Sequence, residues 1–277
     1  MFPWVYGFHW TVYQVVFLGA FFAAAGVIAV TVSKAVVRMR KDFQSDRDDG
    51  ILWHADFNDL PEAAKLCRHT FTGEAKKRIC GNQFDCGSCD YHPTVVRSEG
   101  EIGSMPMYDK GILGAQLPQD RLYHRGHTWV RREEDGTYTI GLDDFIHRLI
   151  GNPDRIDLPA PGAHLHANGT GWIMKKKRSR LRVLAPIDCV VIAQGSIEKG
   201  WLLKVRTDES PLRLGHLLRG EEIAPWIMHE AERLEKMFEM AHVGCTLADG
   251  GELMPDIDKL YPKVDWESVW GNMLLEG

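Results

Sequence analysis

The chain has no Gly-rich phosphate loop, no nucleophile elbow and no zinc-protease motif. No motif pairs a nucleophile with a base, so an independent enzyme is the least supported class. There is no internal repeat and no long low-complexity tract. Charge of one sign is not in large excess either: 33 Lys and Arg against 38 Asp and Glu leave a net charge of −5. That balance excludes a polyanion binder acting through the whole molecule, and it directs attention to local basic runs. The most extended absence lies at the start, where residues 1–33 contain no Asp, Glu, Lys or Arg.

What fills that region is apolar. WTVYQVVFLGAFFAAAGVIAVTV, residues 10–32, is long enough to cross a bilayer, which takes roughly 20 apolar residues. Trp4, Tyr6, Trp10 and Tyr13 stand where interfacial aromatics are expected. A cleaved signal peptide fits poorly, because no basic residue precedes the run and the run is too long; a buried core helix is the other alternative. Lys34, Arg38, Arg40 and Lys41 follow the span. The positive-inside tendency then predicts a single-pass anchor in the cytoplasmic (inner) membrane, N-terminus outside and body in the cytoplasm.

With that topology the body faces a reducing compartment, so clustered cysteines read as metal ligands before disulfides. Cys67, Cys80, Cys86 and Cys89 fall within about two dozen residues, and Cys86-Gly87-Ser88-Cys89 has the spacing of a metal knuckle. Zinc is expected, with an iron–sulfur cluster as the alternative. Cys189 and Cys245 are isolated and read as buried small residues.

The remainder divides by pattern. We expect an anchor over 1–41, a four-cysteine metal-binding segment and linker over 42–120, a β domain over 121–220 and a helical extension over 221–277. Thr128–Arg132 and Thr137–Leu142 are strand-like runs around a Glu-Glu-Asp-Gly turn. Asp143–Ile150 has helical spacing, with an Asp at its start and Gly151 after its end. Six further short strands follow, ending with Trp201–Arg206. Pro211–Leu218 is predicted to be a short helix and Ile223–Val243 a longer one.

Several pieces of the β region, in order and at matching spacing, resemble the glycine cleavage system H protein family. They are His127 with Trp129; Asp135-Gly136-Thr137-Tyr138-Thr139; Gly141; Leu149-Ile150-Gly151; Asp157-Leu158-Pro159 with Gly162; Ala185-Pro186; and Gly200-Trp201-Leu202 with Lys204. The resemblance covers about a third of the chain. It implies a mainly β, lipoyl-like barrel-sandwich hybrid of two small antiparallel sheets, with a modified lysine at a hairpin tip. Counted from either side, the family's Glu-Ser-Val-Lys-Ala loop falls on Lys175-Lys176-Lys177-Arg178-Ser179. Arg178 stands where the lipoyl lysine is expected. A guanidinium stays protonated and is no nucleophile for a lipoyl amide. Lys177 is one residue away, and in a hairpin that shift turns a side chain to the other face. The resemblance therefore implies a divergent member without lipoate, a non-enzyme serving as a structural or docking subunit of a membrane-bound complex. A carrier modified at Lys177 and an iron–sulfur electron-transfer subunit are the alternatives.

Lys175, Lys176, Lys177, Arg178, Arg180 and Arg182 form a dense cationic strip. Anionic lipid heads or an acidic patch on a protein partner are its expected counterparts. Nucleic acid is not expected, because aromatic interleaving and any known reading module are missing.

Overall fold

The computed structural model describes residues 11–45, 57–96, 113–207, 214–240, 253 and 257–276, and side chains in 35–45 are outside that description. The readings for Trp4, Tyr6 and Trp10, for Cys245, for most of the linker and for the first part of the Pro211–Leu218 helix lie outside the described residues. The chain forms two units, Met1–Gly50 and Ile51–Gly277.

In the first unit, α1 (Val12–Ser45) is a single helix. Its Val12–Lys34 stretch has mean hydropathy 2.5 and none of it is buried by the protein. The Thr31 hydroxyl donates to the Val27 carbonyl at 2.7 Å, so this polar group is satisfied within the helix.

In the second unit the β strands are short and antiparallel. They are β1 (Leu122–Tyr123), β2 (Thr128–Arg132), β3 (Tyr138–Leu142), β4 (Arg155–Asp157), β5 (His164–Leu165), β6 (Thr170–Lys176), β7 (Ser179–Leu184), β8 (Cys189–Ser196) and β9 (Trp201–Arg206). One sheet runs β1-β2-β3-β9-β8-β5, and the other β4-β6-β7. Alternation places Leu181 and Val183 of β7 inward with Val130, Ile140, Val191 and Leu203 of the larger sheet, so both sheets feed one core. Neighbouring strands of the larger sheet carry glycine where a side chain would clash. A Cβ on Gly141 would sit 2.5 Å from the Trp129 ring, and one on Gly195 would sit 2.3 Å from the Trp201 carbonyl.

Between β3 and β4 runs α2 (Asp144–Ile150). Asp143 caps it by accepting from the Ile146 N–H at 2.9 Å, and Gly151 ends it at φ 67°. Both ends match the expectation. Residues Leu214–Leu218 depart from it. They form a turn, not a helix, because Leu218 pairs with Tyr123 through two backbone hydrogen bonds of 2.7 and 2.9 Å. Extending the edge of the sheet wins over local helix preference there.

The helical part follows: α3 (Ile223–Met240), α4 (Ile257–Leu260) and α5 (Trp266–Met273). Ile223, Trp226, Ile227, Leu234 and Phe238 of α3 enter the same core as the β strands, and so do Trp266, Trp270, Met273 and Leu274. Fully burying one such large side chain is worth about 1.5–3 kcal/mol, so the apolar seam holds this extension on the sheets more strongly than surface ion pairs would.

Candidate functional site: the basic hairpin, the histidine joint and the cysteine segment

β6 and β7 form a hairpin closed by Lys176 opposite Ser179, so Lys177 and Arg178 are its two turn residues. Both are exposed. Lys177 has φ 55°, a left-handed conformation that costs a non-glycine residue energy and fixes the tip. β6 runs to Lys176, because the ladder continues through Lys175 with Arg180 and Lys176 with Ser179.

The strip meets carboxylates of its own chain. Lys175 Nζ lies 3.1 Å from Asp157 Oδ2. Lys176 is buried, donates to the Ile150 carbonyl, lies 3.3 Å from Asp258 Oδ1 and rests over the Trp270 ring at 5.4 Å. Lys177 Nζ is 2.7 Å from Asp258 Oδ2. Asp258 has no exposed surface. Ser179 donates to Glu267 at 3.4 Å, and the Arg182 N–H donates to Glu276 at 3.1 Å. Burial raises the Glu276 carboxyl pKa, and the Arg182 charge opposes that rise. Arg180 is exposed on the outer face of β7, and Arg182, two residues on, is half-buried on that face. The C-terminal extension therefore seats itself against the hairpin by apolar packing and by three acidic side chains.

A second joint ties α3 to the sheet. His127 has no exposed surface and takes φ 61° in the β1–β2 turn. Its ring is stacked between Phe145 at 5.3 Å and Trp226 at 5.1 Å. Nδ1 donates to Asp143 Oδ2 at 2.8 Å, and Nε2 faces Glu230 Oε2 at 3.8 Å. Arg233 pairs with the same Glu230. Burial alone would lower the His127 pKa, but the charges and hydrogen bonds of Asp143 and Glu230 outweigh it and raise the imidazole to about 9. Three residues earlier the logic reverses. His124 accepts from the Gly126 N–H at 3.0 Å and donates to Asn168 at 2.7 Å. Burial, with His216 alongside, lowers it to about 3 and keeps it neutral.

In the cysteine segment, Leu66 bridges Ile79, with the Cys67 N–H donating to the Arg78 carbonyl at 2.8 Å and the Cys80 N–H to the Lys65 carbonyl at 2.7 Å. Cys86–Ser88 is a tight 3-10 turn capped by Asp85, and the Cys89 N–H donates back to Cys86 at 3.4 Å. The cysteines are free thiols, and among the described residues no group of three or more His, Cys, Asp or Glu side chains is arranged to hold a metal ion. Burial raises the Cys67 and Cys86 thiols, and Arg68 opposes the rise at Cys86. Arg68 forms a two-pronged pair with Glu222 at 2.6 and 2.7 Å, which fastens this segment to the start of α3.

The sequence profile described as "Glycine cleavage H-protein" matches residues 121–194. Curated relatives agree. The glycine cleavage system H protein of Edwardsiella ictaluri (strain 93-146) is 28% identical over 120 residues, 39% of this chain and 93% of that protein. That of Alkalilimnicola ehrlichii (strain ATCC BAA-1101 / DSM 17681 / MLHE-1) is 28% identical over 108 residues, 34% and 83%. This region is a glycine cleavage H-protein-like domain. A solved structure, a glycine cleavage system H protein from Mycobacterium marinum, is 20% identical at a TM-score of 0.35, covering 39% of this chain and 96% of that one.

The β6–β7 hairpin with Lys177 and Arg178 lies inside the matched region of the H-protein-like domain, and the extension that covers it lies outside. The basic residues that the sequence groups together are thus split by the fold: Lys176 is interior, Lys175 and Lys177 are paired, and Arg178 and Arg180 face outward. Asp258, Glu267 and Glu276 were not singled out in the sequence, because scattered acidic residues in a short tail carry no spacing that marks them.

Proposed function

We propose that the chain is a membrane-anchored H-protein-like module that has lost its lipoyl carrier role and serves as a structural or docking subunit at the cytoplasmic face. The observation that carries this reading is the hairpin tip. A carrier arm needs an exposed, unengaged lysine amine as the acylation nucleophile. The tip offers Arg178, whose guanidinium is permanently charged, and Lys177, whose ammonium lies 2.7 Å from the interior carboxylate of Asp258. Desolvation of Asp258 strengthens that pairing, and the amine must lose both its proton and its partner before it can be acylated. The apolar, exposed Val12–Lys34 stretch supports anchoring, and Lys34 with the basic residues after it supports a cytoplasmic body. Partners are proteins of a membrane-bound assembly. Nucleic acid is not among them.

The test is lipoyl transfer to the full chain in detergent by a lipoylating enzyme, with an authentic H protein as positive control. The reading predicts no transfer to the wild-type chain. Stoichiometric transfer to Lys177 would establish a working carrier in its place.

A further inference from the structure

The H-protein-like domain contains a cavity of about 450 Å³ that the β6–β7 hairpin does not line. Its wall comes from the segment before β1, the end of β3, helix α2 and the turn between β8 and β9. The volume is that of a small-molecule site, for which about 300–1,000 Å³ is usual.

The wall combines two kinds of surface. Leu142, Ile197 and Trp201 contribute part-exposed apolar surface. Arg121 and Arg148 contribute guanidinium groups, on side chains 23% and 27% exposed, so a solute can reach them. Both arginines are held before any ligand arrives. The Arg121 guanidinium lies 4.0 Å over the Trp129 ring, and that ring is fixed by its own N–H, which donates to the Leu142 carbonyl at 2.7 Å. Arg148 Nε donates to Asp144 Oδ2 at 3.0 Å.

The nearby carboxylates leave the outer ends of these arginines free. Asp144 Oδ2 also accepts the Gln116 N–H at 2.9 Å, so that oxygen already serves two donors. Asp120 is more than half exposed and stands 3.6 Å from both Arg121 Nε and Arg131, too far for a hydrogen bond. Among the described residues no protein acceptor takes the terminal N–H groups of Arg121 or Arg148. Two arginines against one aspartate give the wall a positive balance. Two preset guanidinium forks suit a planar or tetrahedral oxyanion, which accepts paired N–H bonds. The ordering cost of long side chains is largely met in advance.

We propose that this cavity binds a small organic oxyanion, with its carboxylate or phosphate head on Arg121 and Arg148 and its apolar body over Leu142, Ile197 and Trp201. The head exchanges water for charge-assisted hydrogen bonds, and the body covers apolar surface that the fold leaves open. This inference does not depend on the loss of lipoylation.

The experiment is fluorine NMR of three probes with the full chain in phosphatidylcholine nanodiscs, and empty nanodiscs as the blank. The probes are para-fluorobenzoate, para-fluorophenyl phosphate and the uncharged para-fluorobenzyl alcohol. Saturable binding of at least one anion is expected, at least about tenfold tighter than the alcohol. The tighter anion assigns the head as carboxylate or phosphate, and either result keeps the site. Arg121→Gln and Arg148→Gln are each expected to weaken binding by about 10- to 100-fold. Arg180→Gln, which removes an exposed cation outside the cavity, is expected to leave it unchanged. Ile197→Glu alters the apolar part of the wall and is expected to abolish binding by placing a like charge there. No saturable binding of either anion, equal binding of the alcohol, or unchanged affinity in the folded arginine variants would overturn the proposal.

Discussion

Lys177, at the tip of the β6–β7 hairpin, reaches 2.7 Å to Asp258, a carboxylate with no exposed surface that belongs to the C-terminal extension. Asp258 also lies 3.3 Å from Lys176, which is itself buried. One interior carboxylate thus answers two consecutive lysines, Lys176 at the end of β6 and Lys177 in the turn.

The two lysines are not equivalent. Asp258→Ala leaves Lys176 as a buried cation without its carboxylate, and is expected to destabilise the second unit by about 3–5 kcal/mol. Lys177→Met removes a half-exposed partner, and is expected to cost no more than about 1 kcal/mol. Chemical unfolding followed by tryptophan fluorescence checks the order. Equal losses in both variants would contradict the assignment of Lys176 as the interior member.

Stability is expected to depend on pH in two opposite limbs. His127 has its pKa raised from 6.5 to about 9 in the fold, so its contribution is complete below about 6.5 and is lost as pH rises through about 9. By linkage that contribution is roughly 3 kcal/mol. His124 is lowered to about 3, so its contribution is complete above about 6.5 and is lost as pH falls toward 3. Thermal midpoints between pH 5 and 10 should peak near pH 6.5, falling on the acid side and falling again as pH rises from about 6.5 to about 9. His127→Gln should lower the maximum and flatten the limb between about 6.5 and about 9. An unchanged alkaline limb in that variant would show that His127 does not carry it.

Trp270 links the hairpin to the extension, since its ring lies under Lys176 and 5.7 Å from Trp266. Trp270→Ala is expected to cost about 3–5 kcal/mol. Limited proteolysis should then cut first within the C-terminal extension. Cleavage beginning in β2 or β3 would indicate that Trp270 supports the whole sheet instead.

Gly141 lies where a Cβ would meet the Trp129 ring at 2.5 Å. Trp129 is held there by donating to the Leu142 carbonyl at 2.7 Å, so the ring has little room to yield. Gly141→Ala is expected to destabilise by about 1–3 kcal/mol through overpacking. Calorimetry of the variant measures it directly, and a midpoint equal to wild type would refute the clash.

The β region was legible in the sequence because its signals are local. Alternation marks β7, Asp143 and Gly151 punctuate α2, and the turn residues close the hairpins. The Leu214–Leu218 turn was not legible, since it depends on pairing with Tyr123 far away in the chain. The same holds for the site. Arg178 in the turn follows from counting along the strands, whereas its surroundings depend on Asp258, Trp270 and Glu276, which tertiary packing brings in. His127 reads as a motif residue, and only its stacking between Phe145 and Trp226 and its two carboxylates show that it is charged in the interior.

The most direct measurement of the central claim is the mass of the peptides spanning Lys175–Ser179, from the full chain isolated out of cells whose own H protein is shown to be lipoylated. The account predicts unmodified Lys175, Lys176 and Lys177 next to that positive control. A lipoyl group on Lys177 would contradict it and make the hairpin a working carrier arm.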